Sequence, residues 1–344
     1  MSAPVRADHD LPDELRGSTL TRRAVPIALA LGALVLVAVL APGLGEVRRR
    51  LSGADPAWIA AGVALEALSC ASYVVMFRPL FLPPRLSWRF SAELSAAELG
   101  VGSLVPTSGA AGLALGGWVL HRGGMPAELV ARRSVAFLVL KSGVNFVAVV
   151  VLGVLLAIGV LGPSQPWWLT ILPALLAAIV IVAVVLAPRV GPGAAPPDDA
   201  PWAVRAVAVV RRALVEGGRE ALAVARRPAP ALLAGALGYW AFDNAVLWAT
   251  YHAVGDVPPV TVILMGYLIG QLGGALPLPG GIGGIDLGLV ATLVAYGAPA
   301  GATAAAVLAY RLILFWLPLA LGVLGAAALR ARLRDPAGFT VETG

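Results

Sequence analysis

Charged residues are scarce in this sequence. Only 13% of its 344 residues are Asp, Glu, Lys or Arg, whereas 59% are hydrophobic, and the mean hydropathy is +0.87. Soluble domains of this size are not so apolar, which excludes a water-soluble globular protein. We therefore predict an all-α polytopic membrane protein. No nucleic-acid partner is expected, because the net charge of +6 comes from arginines scattered between apolar runs.

Residues suited to catalysis or metal binding are also few. The single cysteine, Cys70, excludes an internal disulfide, and three dispersed histidines do not form a metal site. No Walker motif, nucleophile elbow or zinc-ligand spacing occurs. We therefore expect a protein that is not an enzyme and that has no catalytic residue, metal or cofactor.

Long apolar runs, in contrast, are abundant. A membrane span needs about 20 predominantly apolar residues. By this measure we predict six full spans, at residues 24–45, 56–77, 134–161, 166–187, 229–251 and 303–329. Two further apolar runs, residues 91–120 and 260–296, are each broken near the middle by proline and glycine.

The loop charges predict how these segments cross the membrane. Arginines cluster in the loops at residues 78–89, 122–133, 189–227 and 330–334, whereas the turns at residues 162–165, 255–259 and 297–301 have no Lys or Arg. The positive-inside rule places the arginine-rich loops in the cytoplasm. Both ends of each broken run then lie on one side, so we predict two re-entrant hairpins. Arg48, Arg49 and Arg50 are the exception, because this topology places them outside.

The predicted segments form two halves of opposite orientation, each with the order span, span, hairpin, span. Residues 24–161 and 162–329 form the halves, between cytoplasmic tails at residues 1–23 and 330–344. Inverted repeats with broken helices are a recurrent plan of transporters. A cytoplasmic insertion at residues 188–228 contains a predicted basic amphipathic helix on the inner leaflet. A helix that docks a partner is the alternative interpretation.

Five ionisable residues stand out as candidates inside the predicted membrane segments, where an ionisable group costs about 2.5–3.5 kcal/mol on insertion scales. They are Glu66, Lys141, Asp243, Asp286 and Arg311, and Lys141 is the only lysine of the chain. One interpretation is that the carboxylates neutralise the two cations in buried pairs. The other is that Lys141 and Arg311 bind an anionic headgroup such as a lipid phosphate. The two interpretations are compatible, since a substrate can displace an internal carboxylate.

The breaks in the two hairpins add backbone groups to this candidate site. Residues 277–286 read P-L-P-G-G-I-G-G-I-D. Lipid cannot satisfy the amides and carbonyls that such a break exposes. A turn at Pro277, Pro279, Gly280 and Gly281 would present amides and a helix N-terminus to an anion. In the first hairpin, after Pro106, the hydroxyls of Thr107 and Ser108 either cap the second half-helix or bind substrate.

Motifs around these breaks carry a family resemblance. P-L-P-G-G-I-G-G-I-D is followed by L-G-L-V-A-T-L-V-A-Y-G-A-P at residues 287–299 and A-V-L-A-Y-R-L-I-L-F-W-L-P-L-A-L-G at residues 306–322. Residues 104–125 read L-V-P-T-S-G-A-A-G-L-A-L-G-G-W-V-L-H-R-G-G-M. Over nearly its whole length the chain resembles the flippase-like membrane domain of lysylphosphatidylglycerol synthases.

The resemblance implies a multi-pass protein of the inner or plasma membrane that takes part in lipid translocation or envelope lipid biogenesis. The soluble aminoacyl-transfer domain of the bifunctional synthases is absent, so we expect no synthesis of lysyl-lipid. By this likeness the motif positions, which we take as candidate substrate-binding residues, are Pro277, Pro279, Gly280, Gly281, Gly283, Asp286 and Arg311.

Three functions remain open from the sequence. The first is a lipid flippase or scramblase whose partner is a membrane phospholipid or polyprenyl-phosphate lipid. The second is a non-transporting scaffold for an envelope glycosyltransferase or lipid-modifying enzyme, which would then be a partner. The third is an ion-coupled transporter of a soluble anion. A site open sideways to the bilayer favours lipid, and a site open only to water favours a soluble anion.

Overall fold

The computed structural model describes residues 45–82, 86–104, 110–160, 165–191, 193, 197, 200–225, 230–271 and 284–333. Every regular element in this part of the chain is a helix, so the all-α prediction is confirmed there. In chain order the helices are α1 Gly45–Ser52, α2 Pro56–Phe81, α3 Trp88–Leu104, α4 Ala110–Arg122, α5 Ala127–Ala157, α6 Trp167–Val190, α7 Trp202–Ala225, α8 Pro230–Val254, α9 Val260–Gly270, α10 Gly284–Ala295 and α11 Ala300–Leu333.

Four of these helices, α2, α5, α6 and α11, are long and apolar enough to cross a bilayer. Each corresponds to a predicted span. Large apolar side chains on α5 and α6 are exposed, as expected of a lipid-facing surface: Val147, Val151, Leu175 and Ile179 each expose about half of their area. The predicted span at residues 229–251 is the 25-residue helix α8. The predicted span at residues 24–45 lies outside the described residues except for Gly45.

Two apolar cores hold the helices together. The first surrounds Phe77, Phe81 and Phe137 and draws mainly on α2 to α5. The second surrounds Tyr251, Ile263 and Leu293 and draws mainly on α8 to α11. Each core is therefore built largely from the helices of one predicted half.

Helices α2 and α8 pack against each other in antiparallel register and join the two cores. A Cβ built on Gly62 would lie 3.9 Å from the side chain of Val246, and one built on Gly235 would lie 2.8 Å from the Cα of Met76. The beginning of each helix therefore meets the end of the other. The absence of a side chain at Gly235 is what allows this close backbone contact.

Helices α9 and α10 form an antiparallel pair where the second hairpin is predicted. They have 11 and 12 residues, which correspond to about 17 and 18 Å, too short for a hydrocarbon core of about 30 Å. A Cβ built on Gly270 would lie 2.8 Å from the Cα of Leu289. The start of α9 and the end of α10 line one cavity of about 380 Å³ beside Asp256, so both outer ends lie at the same end of the molecule.

Helices α3 and α4 form a second antiparallel pair where the first hairpin is predicted. Gly112 on α4 contacts the backbone of Glu98 on α3. Helix α3 also packs along α11, where a Cβ built on Gly100 would lie 2.6 Å from the Cα of Gly322. Glycine is thus required at the α3–α11 crossing, because any larger residue would separate the two backbones.

The loops gather at two ends of the helix assembly that differ in charge. At one end α1 meets the turn after α8, which lacks Lys and Arg, and the start of α11. Arg50 forms ion pairs there with Asp256 and Glu46, and both carboxylates raise the pKa of Arg50. The exceptional arginines of residues 48–50 therefore do lie beside the neutral turns, and local carboxylates offset the charge of Arg50.

The opposite end is rich in arginine. Arg332, near the end of α11, forms an ion pair with Glu93 on α3. Arg78, near the end of α2, donates a hydrogen bond of 2.6 Å to the carbonyl of Leu86. The described parts of the arginine-rich segments at residues 78–89 and 330–334, which the charge pattern assigns to one side of the membrane, therefore lie at the same end of the molecule.

The predicted amphipathic helix is α7, and it packs on the starts and ends of spanning helices at the arginine-rich end. Gly217 contacts Val135 of α5, and Arg219 donates a hydrogen bond of 3.1 Å to the carbonyl of Pro188. Trp202, at its start, is 78% exposed. One part of α7 therefore docks on the protein, and its first turn remains open.

Candidate functional site

Lys141 is held between two aromatic rings in the middle of α5. Its Nζ lies 4.7 Å from the ring centroid of Tyr239 on α8 and 5.7 Å from that of Tyr73 on α2. The negative face of an aromatic ring attracts a cation at such distances. No carboxylate in the described ranges forms an ion pair with Lys141, although Asp243 and Glu98 lie within Coulombic range. The ammonium group thus keeps hydrogen-bonding capacity for an anion.

Glu98 on α3 is a buried carboxyl group within Coulombic range of Lys141. It is 2% exposed, and its Oε2 accepts a hydrogen bond of 2.9 Å from the hydroxyl of Tyr73. Its Oε1 has no hydrogen-bond partner in the described part of the chain. Gly116 on α4 contacts this oxygen so closely that a Cβ there would displace it. The α3–α4 pair therefore contributes a carboxyl group to the surroundings of Lys141.

Asp243 on α8 joins three helices through hydrogen bonds. It is 6% exposed, and it accepts a bond of 3.0 Å from the hydroxyl of Tyr310 on α11 and another from Tyr267 on α9. Each carboxylate oxygen receives one of these bonds. A carboxylate with two such donors is stabilised within an apolar interior.

Glu66 on α2 faces Asp243 across the antiparallel α2–α8 contact. The two carboxyl groups interact electrostatically, and Glu66 is 5% exposed. Its Oε1 accepts a weak hydrogen bond of 3.6 Å from the thiol of Cys70, one helical turn further along α2. Its Oε2 has no partner among the residues that the structure describes. Two of the predicted carboxylates are thus adjacent.

Arg311 on α11 is neutralised by a carboxylate instead. Its Nε lies 3.6 Å from Oδ1 of Asp286 on α10, and the two side chains are 18% and 13% exposed. The predicted neutralisation of a membrane cation by an internal carboxylate is therefore found at Arg311. It is not found at Lys141.

The remaining predicted site residues lie outside the described residues. They are the residues of the two breaks, namely Pro106, Thr107, Ser108, Pro277, Pro279, Gly280, Gly281 and Gly283. The five charged residues of the prediction are all described, and their surroundings are given above.

Sequence reasoning missed the uncharged half of this site and one carboxyl group. Glu98 lies inside a run that reads as apolar, and the tyrosines resemble ordinary core residues. Helical spacing carries a signal for two of them, because Tyr73 follows Glu66 by seven residues and Tyr239 precedes Asp243 by four. The missed residues are Tyr73, Glu98, Tyr239, Tyr267 and Tyr310.

The described residues contain no group of three His, Cys, Asp or Glu side chains placed to hold a metal ion. What they bring together is an ammonium group, several phenol hydroxyls and buried carboxyl groups between apolar helices. Such a set can bind an anion and exchange protons. It is the polar centre of a polytopic helical membrane protein.

Comparison with known families gives this protein its place. The family model of the lysylphosphatidylglycerol synthase TM region matches residues 24–322, which is most of the chain. The chain therefore belongs to the lysylphosphatidylglycerol synthase transmembrane-region family, and the predicted resemblance is confirmed. No protein of curated function matches it.

Proposed function

We propose that this protein is a lipid flippase or scramblase that moves a phosphate-bearing lipid between the two leaflets. The family fits a lipid-related role in the membrane, since it is named for the transmembrane region of an enzyme that makes a phospholipid. In this proposal the protein transports lipid and does not modify it.

The proposal depends on one observation, namely that Lys141 lies inside a membrane helix without an ion pair to any described carboxylate. A cation inside a membrane helix is retained when it has a partner or a task. Lys141 has two tyrosine faces and no ion pair with the described carboxylates. A lipid phosphate would supply the missing counter-ion and would accept charge-assisted hydrogen bonds from the ammonium group of Lys141.

The helix arrangement supports a path for such a headgroup. We interpret the α3–α4 and α9–α10 pairs as re-entrant hairpins that enter from opposite membrane faces. Each pair precedes a spanning helix with a cation, Lys141 on α5 and Arg311 on α11. Helices α2 and α8, which hold equivalent places in the two halves, pack antiparallel to each other. These equivalences favour an inverted repeat, the plan in which a central site opens alternately to either face.

The lipid tail would remain in the bilayer while the headgroup passes the polar centre. The exposed apolar side chains of α5 and α6 give the tail a surface with no exposed charge near its middle. The positive-inside rule assigns the arginine-rich end to the cytoplasm, so we propose a multi-pass protein of the cell membrane. Phospholipids and polyprenyl-phosphate lipids both have the phosphate that Lys141 would bind.

The test is a transport assay with purified protein in liposomes that contain fluorescent phosphatidylglycerol. Dithionite quenches only the outer-leaflet dye, so the quenched fraction measures exchange between leaflets. We expect exchange faster than in protein-free liposomes, and no uptake of radiolabelled inorganic phosphate. Uptake of phosphate without lipid exchange would identify a soluble-anion transporter. Neither activity, together with co-purification of an envelope enzyme, would identify a scaffold.

A further inference from the structure

The proposed binding of phosphate at Lys141 leaves the opposed carboxyl groups of Glu66 and Asp243 without an assigned task, although both lie in the middle of helices α2 and α8. The α2–α8 register places them opposite each other, and each is at least nine-tenths buried. Two carboxylates this close in an apolar interior cannot both be ionised without a large energetic penalty. Ionisation of one carboxyl group therefore opposes ionisation of the other, and a nearby cation such as Lys141 is what favours loss of the proton.

Hydrogen bonding distinguishes the two members of the pair. Both oxygens of Asp243 accept a bond from a tyrosine hydroxyl, which favours its ionised form. Glu66 receives only the weak thiol bond from Cys70, and its Oε2 has no partner in the described structure. A proton bound by the pair is therefore expected on Glu66 rather than on Asp243.

The surrounding charges connect this proton to Lys141. Glu98 on α3 is a third buried carboxyl group, and Lys141 on α5 is the cation near it and Asp243. Arg311 on α11 is already paired with Asp286 on α10. Among the described residues, Cys70 on α2, Tyr239 on α8, Tyr267 on α9 and Tyr310 on α11 also interact with the pair.

We propose that Glu66 and Asp243 form a proton-binding site whose occupancy is coupled to the binding of a phosphate-bearing lipid at Lys141. The proposal rests on the lipid transport proposed above and adds its coupling ion. When a phosphate takes Lys141 as its counter-ion, the carboxyl groups lose that compensation and bind a proton more strongly. The proton passes from water to a carboxylate oxygen of the pair and returns to water when the lipid leaves.

Proton uptake on lipid binding tests this coupling without any variant. The full chain in detergent is titrated with dioctanoyl phosphatidylglycerol by calorimetry, in two buffers of different ionisation enthalpy at equal pH. We expect uptake of a substantial fraction of a proton per lipid, and an affinity that rises by up to about tenfold per unit decrease of pH. Binding without proton uptake, or no binding, would overturn the proposal.

A matched pair of variants assigns the proton to the opposed carboxyl groups. We expect Glu66→Gln to remove the proton uptake, and Glu46→Gln, which neutralises a carboxylate of α1 outside the cluster, to retain it. Should Glu66→Gln not fold, Asp243→Asn tests the same site. Proton uptake that persists in a folded variant of either residue would contradict the assignment.

The transport assay separates failure of the coupling from failure of the proposed function. An imposed pH gradient is expected to shift the steady-state leaflet distribution of the fluorescent lipid in wild-type liposomes. Lipid exchange whose steady-state leaflet distribution does not change with the pH gradient would refute the coupling but not the proposed lipid transport. Proton uptake on lipid binding without lipid exchange would refute the proposed transport but not the coupling between the Glu66–Asp243 pair and Lys141.

Discussion

Lys141 and Arg311 occupy equivalent places in the two predicted halves, yet they have different surroundings. Each lies on the spanning helix that follows a helix pair. Arg311 has an ion pair with Asp286, whereas Lys141 lies between the rings of Tyr73 and Tyr239. A cation with its own carboxylate contributes to structure. A cation held by aromatic faces keeps its hydrogen-bond donors for a ligand.

The surroundings of Lys141 and Arg311 differ because the neighbouring helix pair places its carboxyl group differently in each half. Asp286 lies in the first turn of α10, where its charge also suits the positive end of the helix dipole, and from there it reaches Arg311. The corresponding pair beside Lys141 contributes Glu98, whose carboxyl group is bonded by Tyr73 instead. A tyrosine thus separates the carboxylate from the cation in one half only.

The largest effect on lipid exchange is expected from Lys141→Gln. The account predicts that lipid exchange falls at least about tenfold, equivalent to about 1.4 kcal/mol or more, while the midpoint of thermal unfolding hardly changes. The matched control is Arg132→Gln, which removes a positive charge from an exposed position of the same helix. The dithionite assay measures both variants. Equal rates of lipid exchange in Lys141→Gln and wild type would contradict the assignment of Lys141 as the headgroup-binding cation.

Arg311→Gln is expected to act on stability instead. Replacement of Arg311 removes its ion pair with the largely buried Asp286, which is expected to cost about 2–3 kcal/mol, less than for a fully buried pair because both side chains retain some exposure. The second substitution Asp286→Asn should restore most of this loss. Thermal unfolding in detergent, followed by intrinsic fluorescence, measures both effects. If the double variant is no more stable than Arg311→Gln, the two residues do not act as a pair.

These two residues also show how far the sequence could be interpreted. Span positions, the broken runs and the five candidate charges follow from hydropathy and from the cost of burying a charge. The separate roles of Lys141 and Arg311 do not, because they depend on which side chain of another helix faces each cation. Tyr267 and Tyr310 show why. Nothing in their local sequence distinguishes a tyrosine that donates a hydrogen bond to Asp243 from an ordinary core residue.

Glu98 shows a different limit of sequence reasoning. Its charge is visible in the sequence, but the run at residues 91–120 is apolar on average. Only the residues at the break in this run are predicted to belong to the candidate site. The contact of Gly116 with its carboxyl group is a product of how α3 and α4 pack. Packing between helices, rather than composition along one helix, determines the membership of this site.

A smaller effect is expected from the aromatic support of Lys141. Tyr239→Leu removes the ring nearest Nζ and should weaken lipid binding by about 1 kcal/mol, or about fivefold. Tyr239→Phe retains the ring and serves as the control. Titration with dioctanoyl phosphatidylglycerol measures the affinity. Equal weakening by Leu and Phe would show that the hydroxyl matters and that the ring face does not.

The smallest effect is expected from an ion pair at the neutral end. Arg50→Gln removes the contacts with Asp256 and Glu46, whose carboxylates are about half exposed. Solvent screens such pairs, so we expect a loss of at most about 1 kcal/mol of stability and no change in lipid exchange. Thermal unfolding beside Arg311→Gln provides the comparison. A loss as large as that of Arg311→Gln would contradict the distinction between exposed and buried pairs.

The most direct test of the central claim is the lipid that the protein retains on purification. Native mass spectrometry of wild type, Lys141→Gln and the Arg311→Gln/Asp286→Asn double variant, all purified from membranes, would identify and count bound lipids. The account predicts that wild type and the double variant retain a phosphate-bearing lipid and that Lys141→Gln loses it. Retention of the same lipid by Lys141→Gln at wild-type occupancy would contradict the account.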